Sequence, residues 1–412
     1  MARITRVSPL APAGFPAIPP VAGFRFATVE AGIRYRGRPD LLLLEAVAGT
    51  SVAGVLTRSA TPGHPVIWCR KVLPGGRARA VIVNAGNANV CRGAEGDRAV
   101  EAEARAVAAA LHCPAEEVLV ASTGVIGERL PVERITAKVP ELVAGLRADG
   151  IAEAARAIMT TDTFPKGAVA ETAIDGVPVR IAGIAKGSGM IAPDMATMLA
   201  FLVTDARLPA PVLRPLLAAA AEKSFNCTTV DGDTSTSDTL LLLASGRAHH
   251  HPVQDADDSR LAGFRDALDA VCLDLALQVV RDGEGAQKLV EITVEGAVSD
   301  ASAKKIAMTI ANSPLVKTAI AGGDANWGRV VAAVGRAGEP IEPAALAVAF
   351  GGHPVAREGQ AVPDLDEGPV AAHLAGREIA LSVTVGRGPG RARVWTCDLT
   401  HGYVDINADY RS

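Results

Sequence analysis

The residues best placed to do chemistry lie between Lys186 and Thr197: Lys-Gly-Ser-Gly-Met-Ile-Ala-Pro-Asp-Met-Ala-Thr. An apolar run, Val179 to Ala185, feeds this glycine-rich loop, and a second apolar run, Met198 to Val203, follows Thr197 directly. A threonine hydroxyl at its ordinary pKa is a poor nucleophile and needs a base within hydrogen-bond reach. At a chain N-terminus that base can be the residue's own α-amino group, whose reference pKa near ~8 suits neutral pH. For Thr197 to use that base, the chain would have to be cut after Ala196. The hydroxyl can itself attack the Ala196 carbonyl, giving an ester that water opens. Gly187, Gly189 and Pro193 make a strained turn plausible there, and the small Ala196 leaves its carbonyl accessible. By composition alone Thr197 is an ordinary strand residue.

Acyl transfer also needs donors for a developing oxyanion. Ser122-Thr-Gly-Val-Ile-Gly127 follows an apolar strand, Glu117–Ala121, and alone reads as a turn. Met159-Thr-Thr-Asp-Thr163 adds hydroxyls. Asp282-Gly-Glu-Gly-Ala-Gln-Lys288 reads as a helix-end loop whose glycines let the backbone approach closely. Three further segments are dense in polar groups: Asn84-Ala-Gly-Asn-Ala-Asn89, Cys227-Thr-Thr-Val-Asp-Gly-Asp-Thr-Ser-Thr-Ser-Asp238 and Gly323-Asp-Ala-Asn-Trp-Gly-Arg329. The second lacks the glutamate an EF-hand needs at its twelfth position, and side-chain-to-backbone hydrogen bonding is its expected role.

From about Gly23 to Ser412 these segments resemble the ornithine acetyltransferase family, the glutamate N-acetyltransferases of arginine biosynthesis. The resemblance implies a mixed α/β fold in α+β layers, of the DmpA/ArgJ-like kind with autoproteolytic N-terminal-nucleophile chemistry. It implies cleavage at Ala196–Thr197 into an α chain, 1–196, and a β chain, 197–412. Thr197 becomes the nucleophile, and Thr123 and Gly124 the oxyanion hole. Substrate contacts fall on Thr161 (with Thr160 its competitor), Lys186, Thr197, Glu284, Asn407 and Ser412. The substrate carries a carboxylate and a side-chain charge, so a cation and an anion are both needed; Lys186 and Glu284 supply them. Asp194 departs from the asparagine common at its position and puts an acid beside the cleavage site.

The implied reaction moves the acetyl group of N2-acetyl-L-ornithine to L-glutamate through an acetyl-Thr197 ester, with acetyl-CoA as a second donor in some members. No metal or prosthetic group is required, and two α and two β chains are expected to assemble. Two other readings stay open on the same residues. A self-processed aminopeptidase or amidase would pass the acyl group to water, and a non-catalytic binding protein would stay uncut.

The elements that must position these groups follow from pattern. Strands are expected at Leu41–Val47, Val52–Leu56, Arg79–Asn84, Leu199–Thr204, Asp238–Ala244, Val290–Val298, Leu346–Phe350, Ile379–Val385 and Ala392–Leu399. Asp175-Gly176 should turn a hairpin leading into the Lys186 loop. Helices are expected from an Asp97 cap to His112, over Pro131–Leu146 with Pro140 kinking or dividing it, over Ala210–Lys223 and Leu261–Arg281, and over Ser299–Ile320 broken near Pro314. Strands and helices interleave without a strict βαβ repeat, and no dinucleotide or Walker segment appears, which favours a layered mixed fold over a Rossmann sheet.

Bulk properties bound the rest. A chain of 412 residues suggests two or three domains, and 49% hydrophobic content suffices for large cores. A net charge of −4 gives no basic footprint for nucleic acid. No apolar run reaches a membrane span and the start lacks a signal-peptide core, so the cytoplasm is the expected location. The six cysteines form no Cys-x-x-Cys pair and read as reduced, mostly buried thiols. His249, His250 and His251 read as a surface loop without metal.

Overall fold

In the computed structural model the described residues are 6–192 and 198–408; Ala196, Thr197 and Ser412 lie outside them. The chain forms two compact units: residues 13–226 with 233–279, and residues 1–12, 227–232 and 280–412.

The first unit is built on two sheets. One has the order β1 (Phe24–Val29), β2 (Leu41–Ala46), β4 (Ala80–Asn87), β5 (Val118–Val125); the other runs β3 (Ser51–Leu56), β9 (Thr239–Ala244), β8 (Leu199–Thr204), β7 (Val177–Lys186), β6 (Lys166–Ile174). Unbroken apolar runs such as Leu41–Leu44 arise because both faces of the first sheet are covered. Leu42, Leu44, Val81, Val83 and Leu119 pack in one core with Ile184, Phe201 and Leu241 of the second sheet. Their neighbours Leu41, Leu43, Ile82 and Val120 share another core with Val100, Val107, Ile135 and Val139. Those last residues belong to α2 (Gly93–Leu111) and α3 (Val132–Ala144). From α2 and α3 inward, the order is thus helices, first sheet, second sheet. Helix α1 (His64–Val72) packs against β5, and α4 (Ile151–Ala157) against β1 and β7.

The second sheet carries the loop that follows Lys186. β6 and β7 form the expected hairpin, with Asp175 and Gly176 at φ of 52° and 72°. β7 pairs antiparallel with β8, Lys186 opposite Leu199, and β8 runs parallel to β9, joined through α5 (Ala210–Lys223). Residues 187–198 therefore connect neighbouring strands of one sheet. α6 (Ala262–Arg281) is tied to β6 by Gln278, which exchanges two amide hydrogen bonds with Gly167 at 2.9 and 3.2 Å.

The second unit has one sheet in the order β13 (Gln360–Ala361), β12 (His353–Arg357), β11 (Ala347–Phe350), β14 (Glu378–Thr384), β10 (Leu289–Ala297), β15 (Gly390–Cys397). Helix α7 (Asp300–Ala311) lies against β10 and β15, followed by α8 (Pro314–Ala321), α9 (Trp327–Arg336), α10 (Glu367–Leu374) and α11 (His401–Ala408). Lys317 is buried here and donates to the carbonyls of Val230 at 2.8 Å and Cys397 at 2.5 Å.

Several expectations need correction. Asp97 does not cap its helix: α2 begins at Gly93, and Asp97 instead pairs with His64 Nδ1 at 2.7 Å. Pro140 lies inside an unbroken α3, on an exposed position where the carbonyl it frees can reach water. Ser122, Thr123 and Gly124 belong to β5 itself rather than to a turn after it. His250 is buried, accepting from the Arg207 amide at 2.8 Å, because this strand-following loop folds back on its own chain. Among the described residues no helix is long and apolar enough to cross a membrane.

Candidate active site

Lys186 closes β7, nearly fully buried, and its Nζ donates to Thr123 Oγ1 at 3.3 Å. The two residues come from different sheets, 63 positions apart in sequence, and meet because the sheets stack. Gly124 follows with φ of +132°, and a Cβ there would sit 2.2 Å from the Gly86 carbonyl carbon, so only glycine fits. Opposite it the β4–β5 register shifts at Asn87, a bulge that ends regular pairing beside Thr123.

The asparagines of the Asn84–Asn89 segment hold this bulge. Ser122 Oγ donates to Asn84 Oδ1 at 2.5 Å, and Asn84 Nδ2 donates to the Asn87 carbonyl at 2.9 Å. Asn87 Nδ2 reaches the carbonyls of Glu128 and Arg129 at 3.2 Å, while its Oδ1 accepts from the Asn89 amide at 2.8 Å. The buried side chains of Asn84 and Asn87 are thereby satisfied locally, and they hold the backbone beside Thr123 and Gly124.

Behind Lys186 lies Asp162, with no exposed side-chain surface. Its Oδ1 accepts from Lys166 Nζ at 2.7 Å and from the Gly187 amide at 2.6 Å; its Oδ2 accepts from the Thr160 amide at 2.9 Å and lies 3.9 Å from Lys186 Nζ. Burial alone would raise the Asp162 pKa, but the two lysine ammoniums and these hydrogen bonds outweigh it and hold the carboxyl below its usual range. Two cations and the start of the loop are therefore organised by one carboxylate. Thr161 Oγ1 lies 2.7 Å from Ser188 Oγ, which joins the Thr-Thr-Asp-Thr segment to the same loop.

On the far side of the loop, the Met198 amide donates to Asp238 Oδ1 at 3.0 Å. This is the side-chain-to-backbone hydrogen bonding expected of the segment that ends at Asp238, whereas nothing in the sequence marks a role for Asp162. The signal for Asp238 is its position at the head of an apolar strand.

Glu284 and Asn407 belong to the second unit, where Asn407 Nδ2 donates to Glu284 Oε2 at 2.7 Å. Gly285, with φ of +77°, lets α11 close in: a Cβ there would lie 2.4 Å from the Tyr403 nitrogen. Thr400 Oγ1 donates to the Gly285 carbonyl at 2.7 Å. The structure thus gathers Thr123, Gly124, Thr161 and Lys186 within the first unit and pairs Glu284 with Asn407 in the second. Thr197, Ala196 and Ser412 lie outside the described residues. Among those described, no three His, Cys, Asp or Glu side chains are grouped to hold a metal ion.

Comparison with known proteins places this arrangement. The profile described as the ArgJ family matches residues 25–412. The arginine biosynthesis bifunctional protein ArgJ of Gluconobacter oxydans is 58% identical over 412 residues, spanning 100% of this chain and 97% of its own. That of Rhizobium meliloti is 56% identical, over 98% and 99% of the two chains. A crystal structure of the protein of the same name from Bacillus halodurans aligns at 40% identity with a TM-score of 0.50, covering 52% of this chain and 99% of its own. The mixed α/β fold, the segments quoted above and these near-full-length relatives agree, and the chain belongs to the ArgJ family of bifunctional arginine-biosynthesis enzymes.

Proposed function

We propose that this chain is a self-cleaving glutamate N-acetyltransferase (ornithine acetyltransferase), moving acetyl from N2-acetyl-L-ornithine to L-glutamate and also accepting it from acetyl-CoA. In maturation Thr197 Oγ attacks the Ala196 carbonyl, the C–N bond breaks, and the nitrogen takes the hydroxyl proton. Water then opens the ester, leaving the Ala196 carboxylate and a free Thr197 amine and hydroxyl. In turnover that amine takes the hydroxyl proton as Oγ attacks the acetyl carbonyl. The oxyanion is met by the Thr123 hydroxyl and the Gly124 N–H. The proton passes to the leaving ornithine nitrogen, and an acetyl-Thr197 ester remains. The glutamate amine attacks this ester, and N-acetylglutamate leaves.

The observation that carries this reading is the Lys186–Thr123 contact at the root of the loop containing Ala196–Thr197. An ammonium has donors only, so the Thr123 oxygen is the acceptor and its O–H remains to donate to an oxyanion. By the family resemblance, Lys186 and Thr161 would bind the amino-acid end of the substrate, and Glu284, Asn407 and Ser412 its cationic end. No metal or prosthetic group enters any step. The parts of a cut chain would stay joined, since β7 ends before the cleavage site and β8 begins after it in one ladder. The Bacillus halodurans chain, almost wholly matched by about half of this one, has the length such a cut would give. An assembly of two α and two β chains in the cytoplasm completes the proposal.

The test is transfer of labelled acetyl from N2-acetylornithine to glutamate, with peptide mapping of enzyme quenched before glutamate is added. Label retained on the peptide beginning at Thr197 supports the ester. Transfer with no labelled enzyme, or release of acetate regardless of glutamate, contradicts it.

A further inference from the structure

No step of the proposed transfer uses the polar segment Gly323–Arg329. Much of it serves to turn one helix into the next. Gly323, at φ of +73°, follows the end of α8, and the Gly323 and Asp324 amides donate to the Ile320 and Ala319 carbonyls at 3.1 and 2.9 Å. Asn326 opens α9, its Oδ1 accepting from the Arg329 amide at 3.2 Å. Neither helix end uses the Asp324 carboxylate or the Trp327 ring, and both residues line a cavity of about 380 Å³ within the second unit.

The cavity has an apolar floor that includes the buried Val355 of β12 and Val370 and Leu374 of α10. Trp327 is half-buried beside it, and the carboxylates of Asp324 and Glu367 stand at the exposed rim. No lysine, arginine or histidine is among the lining residues. Lys288 ties the surrounding helices together: its Nζ donates to the Ile320 carbonyl of α8 and the Leu374 carbonyl of α10, both at 2.7 Å. The cavity is therefore formed before any ligand enters, as small-molecule sites usually are.

The three tryptophans differ in one respect. Lys71 Nζ lies 5.5 Å from the Trp68 ring centre, and Arg393 Cζ lies 5.0 Å from that of Trp395. Both indoles also donate, Trp68 Nε1 to the Val118 carbonyl at 2.9 Å and Trp395 Nε1 to Glu291 Oε2 at 3.0 Å. Among the described residues Trp327 has neither a cation over its ring nor an acceptor for its N–H. Glu367 has no side-chain hydrogen bond or ion pair among them, and the Asp324 carboxylate accepts from Asn326 Nδ2 at 3.1 Å without meeting a cation.

We propose that this cavity binds an organic cation, an ammonium or guanidinium group carried on a short apolar chain. The charge is met by Asp324, Glu367 and the Trp327 indole, and the chain lies on Val355, Val370 and Leu374. An anion would meet two like charges and no counter-charge. A calcium or magnesium ion takes about six to eight oxygen ligands, which two carboxylates over an apolar floor do not supply. A neutral apolar guest would strip water from the carboxylates and return nothing. The volume suits a small molecule. None of these residues takes part in the transfer, so the proposal is independent of the nucleophile assignment.

The probes are butylammonium and butylguanidinium, with neutral butyramide as control, added to the full-length protein with only its tryptophan indoles isotope-labelled for NMR. The indole N–H signals report separately, and Trp327→Phe identifies the one concerned. Both cations should shift the Trp327 signal saturably and leave those of Trp68 and Trp395 in place. Butyramide should bind about tenfold more weakly or less. Asp324→Asn combined with Glu367→Gln, two exposed changes that leave the floor intact, should weaken cation binding about tenfold. A Trp327 signal that does not move, that moves together with the other two, or that responds equally to butyramide or in the charge-free variant overturns the proposal. Should that variant not fold, cation against butyramide on the wild type decides alone.

Discussion

Lys186 Nζ donates to Thr123 Oγ1 at 3.3 Å, and with that one contact a lysine at the end of β7 sets the direction of a hydroxyl in another sheet. Because the ammonium cannot accept, the threonine hydrogen is left to point elsewhere. The cation also puts positive charge behind the hydroxyl, which strengthens it as a donor to a developing oxyanion.

Removing the hydroxyl should therefore damage the transition state more than the ground state. Thr123→Val should lower kcat by about a hundredfold to a thousandfold, the range for losing one oxyanion donor, with KM changed little. Thr123→Ser should recover most of the loss. Steady-state kinetics on the three enzymes check this, and a Val variant changed chiefly in KM would mean that Thr123 binds substrate instead.

Glu284 sits beside Gly285, in a backbone conformation that brings α11 close enough for Asn407 to reach its carboxylate. Glu284→Gln keeps the shape and removes the charge. It should raise KM for N2-acetylornithine by about tenfold or more, the scale of a charge-assisted hydrogen bond, and spare N-acetyl amino acids with uncharged side chains. Equal losses for both substrates would argue against a cation-binding role.

Asp162 is buried between two lysines, so deleting its charge removes the carboxylate that both ammoniums share in the interior. Asp162→Asn should destabilise the chain by about 3–5 kcal/mol, seen as a large fall in thermal midpoint. The pH dependence follows from the sign of the shift. The folded pKa is depressed, so the stabilisation is complete above the unfolded value of about 3.9 and fades as pH falls below it toward the folded value. The wild type should hold this contribution across neutral pH and lose it only in strong acid, and the Asn variant should lack that limb.

Glu103 gives the opposite slope. It lies fully buried on α2 with both carboxyl oxygens unpartnered among the described residues, and burial pushes its pKa up to about 8. The folded chain thus holds a proton that the unfolded chain releases near pH ~4.3. Stability should fall as pH rises from there to about 8 and level off beyond. Glu103→Met should flatten that limb, as thermal melts across the range would show; an unchanged slope would mean that another group titrates.

Much of this arrangement is legible in the sequence itself. Ala210–Lys223 stands as a helix over the residues its pattern marks, because an alanine-rich stretch opened by proline leaves little choice. The Asp175-Gly176 hairpin follows from the positive φ that those residues tolerate. The site segments were visible as motifs, and the structure places Thr123, Thr161 and Lys186 around one loop root.

What local pattern could not supply were partners distant in sequence. Nothing in the sequence around Asp162 and Lys166 shows that the fold buries both side chains completely as an ion pair. Ser122–Gly124 reads as a turn because Gly124 is a breaker, yet the bulge at Asn87 carries β5 through it. Trp327–Arg336 is a helix that its sequence pattern does not mark, because Gly328 and Gly335 weaken it. Asp238 looked like the end of a polar segment, and only the pairing of β8 with β9 sets it against Met198.

The most direct measurement is intact-mass spectrometry of the purified full-length chain, with N-terminal sequencing of every species. Two chains are expected, one ending at Ala196 and the other beginning Thr197-Met198-Leu199-Ala200. A single 42.2 kDa chain, still uncut after long incubation, would leave Thr197 without its amine and contradict the proposed chemistry at its base.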